Sequence, residues 1–148
     1  MCGRYGFSIK KKDEVYNRFG VQNKLDLFES HYNIAPGTMN PVITRHSPNH
    51  ISRMVWGLIP FSAKDDKFKF QTINARVEGI ESKPVYRKPF RMQRCLVPAT
   101  GFFEWDKKEM PSQPWYFRLK QEDLFAFAGL YDIWKDPKTG KESRAIPS

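Results

Sequence analysis

The residue with the most unusual chemistry open to it is Cys2. Initiator methionine is commonly trimmed when the next residue is small, so the chain is expected to begin with Cys2 once Met1 is gone. It would then carry an α-amine and a thiol on adjacent carbons. An α-amine titrates near pH ~7.7–8.0, so a useful fraction is neutral at physiological pH. A neutral amine condenses with an aldehyde to a Schiff base, and the neighbouring thiol then closes onto the imine carbon to give a thiazolidine. The alternative is an ordinary small residue at a frayed terminus. A second candidate is Glu104, set among aromatics in Gly101-Phe102-Phe103-Glu104-Trp105. Desolvation disfavours the charged form of such a carboxyl, which suits a general acid–base; the alternative is an exposed strand carboxylate opposite a lysine. Cys95, in the apolar run Cys95-Leu96-Val97-Pro98, reads as core. His31, His46 and His50 lack zinc-like partner spacing, so no metal is expected.

The rest of the chain has to position these groups. Its 148 residues, 40% hydrophobic and 15% aromatic, fit one globular domain over 1–148 with a real core. Two cysteines make no disulfide framework. With no signal core and no membrane-length apolar run, the expected location is the cytoplasm, nucleoid-associated if the source is bacterial. Lys and Arg number 25 against 16 acidic residues, a net charge of +9. That excess points to a polyanion, most simply nucleic acid, or else only to solubility.

Residues 4–9 alternate as a strand would, which pins Cys2 at the entrance to a sheet. Residues 11–19 read as a helix with Val15 and Phe19 on one face and Gly20 as its stop. Two prolines and a glycine make 30–41 a shaped loop. Residues 42–45 and 51–56 read as strands joined by a polar turn. In 61–72, aromatic and basic residues interleave, a mixture that suits single-stranded nucleic acid. Phe68 and Phe70 read there as core anchors, whereas Phe61 and Lys64 stay open to either role. Residues 73–78 read as the entry to a short helix. Lys83, Arg87, Lys88, Arg91 and Arg94 put five cations and no acid into 83–94, either a phosphate-facing patch or a solvated surface. Pro84 and Pro89 break any long helix there. Residues 115–120 alternate as a half-buried strand. Leu124 to Trp134, interrupted by Gly129 and Asp132, reads as a central strand. The sum is one strand-rich α+β domain with few short helices.

Six stretches in order carry a resemblance: Met1-Cys2-Gly3-Arg4-Tyr5, Tyr32-Asn33-Ile34-Ala35-Pro36-Gly37, Trp56-Gly57-Leu58-Ile59-Pro60, Ile73-Asn74-Ala75-Arg76-Val77-Glu78, Arg94-Cys95-Leu96-Val97-Pro98 and Gly101-Phe102-Phe103-Glu104-Trp105. From residue 1 to about 135 the chain resembles the SRAP family, the SOS-response-associated peptidases or abasic-site processing proteins. The resemblance implies an α+β fold around a basic channel, single-stranded DNA carrying abasic sites as the partner, and no cofactor, metal or membrane. It places the catalytic cysteine, asparagine and glutamate on Cys2, Asn74 and Glu104. Cys2 would join the C1′ aldehyde of the opened sugar and end as a thiazolidine, shielding the lesion. Glu104 would move the protons that open the sugar, and Asn74 would hold the N-terminal residue and the sugar. Arg4, Arg76 and Asn33 would hold the flanking phosphates. An autopeptidase step that frees Cys2 and a β-lyase side reaction through the Schiff base belong to the same expectation.

Two departures from the pattern bear on it. Most members place a DNA-stacking tryptophan soon after the proline matching Pro60; here the sequence is Phe61-Ser62-Ala63-Lys64, and Phe61 takes over the stacking or the contact weakens. The family's catalytic histidine lies in a His-x-Arg-Met-Pro stretch that this chain lacks, so slower linkage, poorer release and an uncovered sheet edge that invites self-association are expected. The tail after Glu142 reads as an interruption of the family pattern. Two other readings stand beside covalent capture: a catalytically impaired single-strand-binding remnant, and a broader N-terminal-nucleophile cysteine peptidase.

Overall fold

The computed structural model describes residues 3–10, 12–23, 29–65, 72–108, 110–121 and 123–147. Cys2, Phe68 and Phe70 lie outside the described residues. Strand β1 (Arg4–Phe7) is the first strand, as expected, but its burial does not alternate: Tyr5, Gly6 and Phe7 are all buried. Helix α1 (Lys12–Phe19) follows, with Asp13 and Glu14 in its first turn and Arg18 in its last, which suits the helix dipole. Val15 is fully buried and Phe19 packs against the same core. Gly20 ends the helix at φ +65°, a left-handed stop in which its N–H donates to the Tyr16 carbonyl at 2.8 Å.

The shaped loop expected at 30–41 is instead strand, turn and strand. β2 (His31–Ile34) and β3 (Met39–Thr44) flank a Pro36-Gly37 turn, where Gly37 has φ +86° and the Thr38 N–H donates to the Ala35 carbonyl. β4 (Ile51–Trp56) completes a hairpin with β3, as expected. The helix expected at 73–78 is absent from those residues, which form an irregular connection; α2 comes later, at Pro84–Met92. Pro84 starts it, where a missing N–H costs nothing, and the Pro89 ring is buried within it. β5 (Arg94–Ala99) and β6 (Gly101–Asp106) follow. Then come β7 (Gln113–Phe117), β8 (Phe125–Leu130), β9 (Asp132–Lys135) and β10 (Glu142–Ile146).

The described strands form two sheets, ordered β2-β1-β6-β7 and β8-β5-β3-β4-β10-β9. Aromatic rings close the core between them. Tyr5 of the smaller sheet meets Trp56 and Phe127 of the larger edge-on, at centroid distances of 5.3 and 5.8 Å. Three further expectations fail against this topology. The run 124–134 is two strands broken at Tyr131, and they form opposite edges of the larger sheet rather than its centre. β7 is an edge strand, and every one of its residues is exposed. The chain after Glu142 is no interruption: β10 lies between β4 and β9, parallel to the former, and buries Ala145 and Ile146 completely or nearly so.

One close approach fixes the smaller sheet. Tyr116 on β7 lies across Gly101 on β6, so that a Cβ at Gly101 would sit 2.3 Å from its Cζ and 2.7 Å from the Phe117 carbonyl oxygen. Gly101→Ala is therefore expected to cost about 1–3 kcal/mol in urea unfolding. Adding Tyr116→Ala recovers only part of the loss, because the carbonyl clash is with backbone. A Gly101→Ala chain as stable as the parent would contradict this packing.

Candidate nucleic-acid interface

Arg4 lies on β1 and Asn33 on β2, and the Arg4 Nη1 donates to Asn33 Oδ1 at 3.1 Å. The pairing fixes the guanidinium, and Asn33 is exposed beside it. On the other side of β1, Arg4 stands opposite Phe103 of β6. Glu104, the next residue on β6, therefore lies at the end of β1 from which Gly3 and the chain start leave. It is half-buried. Its partner on β7 is Trp115, 58% exposed, rather than the lysine of the alternative reading.

Asn74 is held by its backbone neighbourhood. The indole N–H of Trp56 donates to the Ile73 carbonyl at 2.8 Å, and the Tyr86 hydroxyl donates to the Asn74 carbonyl at 3.1 Å. Trp56 also touches Tyr5, the residue after Arg4. The contact series Arg4–Tyr5–Trp56–Ile73–Asn74 thus links two chain-distant stretches. Arg76, two residues on from Asn74, is exposed.

Phe61 and Lys64 belong to a different place. They border a cleft of about 720 Å³ under α2, whose described lining includes none of Arg4, Asn33, Asn74 or Glu104. Phe61 is 62% exposed, and the Lys88 ammonium stands 5.1 Å from its ring centroid. Sequence reasoning missed Asp132, which lies on the floor of this cleft, 1% exposed. The signal was present: an aspartate inside an apolar run must find donors when buried. It finds the N–H groups of Ile133 and Phe61, at 2.9 and 3.3 Å, and the Lys88 ammonium at 3.5 Å. Lys88 lies within a cationic helix face. Tyr86 and Pro89 turn inward on α2, while Lys83, Arg87, Lys88 and Arg91, with Arg94 just beyond, are all exposed.

Cys95 is structural. It is buried, its Sγ donates to the Leu130 carbonyl at 3.4 Å, and burial pushes the thiol up to about 12. His46 bonds the Tyr131 hydroxyl through Nδ1 at 2.9 Å. Among the described residues no group of three or more His, Cys, Asp or Glu is arranged to hold a metal ion, and no helix is long and apolar enough to cross a membrane.

These features define a mixed α+β domain of two packed sheets with a cationic helix face and a polar cluster where β1 begins. The family model described as SOS response associated peptidase (SRAP) matches residues 1–146, and the chain belongs to that family. The match takes in β10, beyond the point near 135 where the sequence resemblance was drawn. The chain is 39% identical over 142 residues to the abasic site processing protein YoqW of Bacillus subtilis, covering 93% of this chain and 63% of that protein. It is 30% identical over 146 residues to the abasic site processing protein HMCES of Xenopus tropicalis, covering 78% of this chain and 44% of that one. A crystal structure of a protein from Bacteroides thetaiotaomicron superposes with a TM-score of 0.88 at 32% identity, covering 99% of this chain and 66% of that one. The chain thus spans somewhat under two thirds of the length of these Bacillus and Bacteroides relatives.

Proposed function

We propose that this protein binds single-stranded DNA and captures abasic sites covalently through Cys2, shielding the lesion. The observation that supports the reading is the contact series from Arg4 and Tyr5 through Trp56 and Ile73 to Asn74, beside a register that sets Arg4 opposite Phe103, the residue before Glu104. The chemistry balances without a cofactor. Hydrolytic removal of Met1 frees the α-amine of Cys2. The amine adds to the C1′ aldehyde of the ring-opened sugar and loses one water to give an imine. The thiol then adds across the C=N bond, its proton ends on nitrogen, and a thiazolidine results. Glu104 donates and accepts the protons that open the sugar and expel water, typically worth about 10²–10⁴-fold in rate. Asn74 holds the N-terminal residue and the sugar. Arg4, steadied by Asn33, and Arg76 take the phosphates beside the lesion, charge-assisted contacts well suited to guanidinium. From the imine stage, proton loss at C2′ would expel the 3′ phosphate, which is the β-lyase side reaction. These roles place the protein with DNA in the cytoplasm, or at the nucleoid of a bacterium.

The test is intact-mass spectrometry after mixing the purified chain with a single-stranded oligonucleotide carrying one abasic site, without borohydride. The expected product has the mass of the Met1-free chain plus the oligonucleotide less one water. A Met1-free chain that binds the strand in a salt-dependent way but forms no adduct would replace covalent capture with non-covalent binding. Turnover of added peptides with indifference to DNA would favour the peptidase reading instead.

A further inference from the structure

Strand β9 pairs with β10 on one side and, among the described residues, with no strand on the other. The hairpin decides which of its backbone groups face the open side. The Asp136 N–H donates across to the Lys141 carbonyl at 2.9 Å, and backbone groups alternate sides along an antiparallel strand. Those of Ile133 and Lys135 therefore turn outward. The Ile133 N–H is already taken by Asp132 Oδ1 at 2.9 Å. The Ile133 carbonyl and both backbone groups of Lys135 are left, and among the described residues no bond occupies them. Open ladder groups of this kind are a template for an added strand.

A cleft opens at each end of this edge. The cleft under α2 lies at the start of β9, with Pro60, Pro84, Val85 and Pro89 as apolar walls. The carboxylate on its floor, Asp132, is spent on the N–H groups of Phe61 and Ile133 and on Lys88. At the other end, a second cleft of about 440 Å³ is bordered by Trp134, Lys138, Lys141 and Ser143, and Lys64 lines both. Lys64, Lys138 and Lys141 are exposed, and among the described residues they make no ion pair. The Asp136 carboxylate beside them is folded into its own turn, accepting the Lys138 N–H at 2.8 Å and the Thr139 hydroxyl at 2.7 Å. The edge thus runs from an apolar seat to a cluster of lysines. A nucleic acid could meet the lysines but has no strand to pair with β9, whereas an extended peptide uses both.

We propose that β9 is a docking edge for an acidic, extended segment of a partner protein. The segment adds as a strand beside Lys135, seats one apolar side chain in the cleft under α2 and sets its carboxylates against Lys64, Lys138 and Lys141. The four residues of β9 span about 13 Å, so a segment of about six to eight residues reaches both clefts. The proposal is independent of capture at Cys2, because the described lining of the two clefts includes none of Arg4, Asn33, Asn74 or Glu104.

The probe is a short fluorescein-labelled peptide with glutamates at one end, a phenylalanine at the other and alternating valine and threonine between. It is made in both sequence orders, because pairing can run either way. Anisotropy with the full chain should show saturable binding that prefers one order and weakens with salt. Lys135→Pro removes an outward N–H without touching the β10 ladder, the position at which an edge strand tolerates proline. It should weaken peptide binding at least about 10-fold, through the lost bond and the ring in the path of the added strand. Lys135→Val keeps the N–H and should cost at most about 5-fold. Lys138→Glu combined with Lys141→Glu should cost about 2- to 30-fold and flatten the salt dependence. Amide chemical-shift mapping needs no variant: shifts confined to 132–136 and the two cleft linings support the proposal even if Lys135→Pro fails to fold, and shifts confined elsewhere overturn it. An oligothymidine strand that displaces the peptide and is itself weakened by Lys135→Pro would assign the edge to nucleic acid and overturn the proposal. No saturable binding of either order would do the same, as would binding indifferent to Lys135→Pro in a chain whose circular dichroism matches the parent. Each of these failures leaves the adduct assay, and with it the reading of Cys2, untouched.

Discussion

Cys2→Ala is expected to yield no covalent product with an abasic-site oligonucleotide, while binding to the strand persists. The substitution removes the thiol that closes the ring but leaves an α-amine, so an imine can still form and be trapped by borohydride. Without borohydride that imine hydrolyses, and intact mass should show the unmodified chain. Cys2→Ser is expected to behave in the same way, because a hydroxyl is a far weaker nucleophile than a thiolate near neutral pH. The second cysteine sharpens the test. The Cys95 thiol is pushed up to about 12 by burial and is engaged with the Leu130 carbonyl, so it supplies almost no thiolate at pH 7. It also has no amine beside it. Cys95→Ala should therefore leave capture intact and lower stability only, through the space opened beside Gly129. Adduct formation by Cys2→Ala at the parent's level would remove Cys2 from the mechanism. Loss of adduct in a folded Cys95→Ala chain would contradict the purely structural role of Cys95.

What the sequence disclosed depended on how local the information was. β1, α1 with its Gly20 stop, and the β3–β4 hairpin follow from periodicity and turn chemistry within a few residues. The strands misjudged were those whose burial is set by distant partners. The hydrophobic run 124–134 looks central from composition, yet it splits into β8, which pairs with β5 at one edge of the sheet, and β9, which pairs with β10 at the other. The alternation of 115–120 suggests one buried face, but every residue of β7 is exposed. The helix expected at 73–78 yields to two carbonyl contacts, from Trp56 to Ile73 and from Tyr86 to Asn74, that draw the backbone out of helical pairing. At the candidate site, Arg4 and Asn33, both named from the sequence, are bonded to each other. The pairing of Lys88 with Asp132 was not foreseen, since the residues are far apart in sequence and only the tertiary fold brings the Lys88 ammonium to Asp132 at the start of β9.

Trp56→Ala is expected to destabilise the fold by about 3–5 kcal/mol, read as a lowered urea midpoint. That is a large share of the ~5–15 kcal/mol available to a domain of this size. The side chain is 1% exposed, meets Tyr5 across the two sheets at 5.3 Å, and donates its indole N–H to the Ile73 carbonyl. Trp56→Phe separates these roles. It keeps an aromatic ring against Tyr5 but leaves the Ile73 carbonyl without that donor, a loss of about 1–3 kcal/mol. It also loosens the backbone that presents Asn74. If Asn74 orients the N-terminal residue and the sugar, the rate of covalent capture should fall more than strand affinity does, because misplacement affects the reacting geometry before it affects phosphate contacts. Val42→Ala is the comparison: Val42 is fully buried in the same core, but its side chain has no group that could hydrogen-bond the 73–74 backbone. Assayed well below their unfolding midpoints, the two variants should differ, with Trp56→Phe slow in capture and Val42→Ala near the parent. Equal slowing in both would mean that Trp56 acts through general stability, and the link from Tyr5 through Trp56 to Asn74 would carry no chemistry.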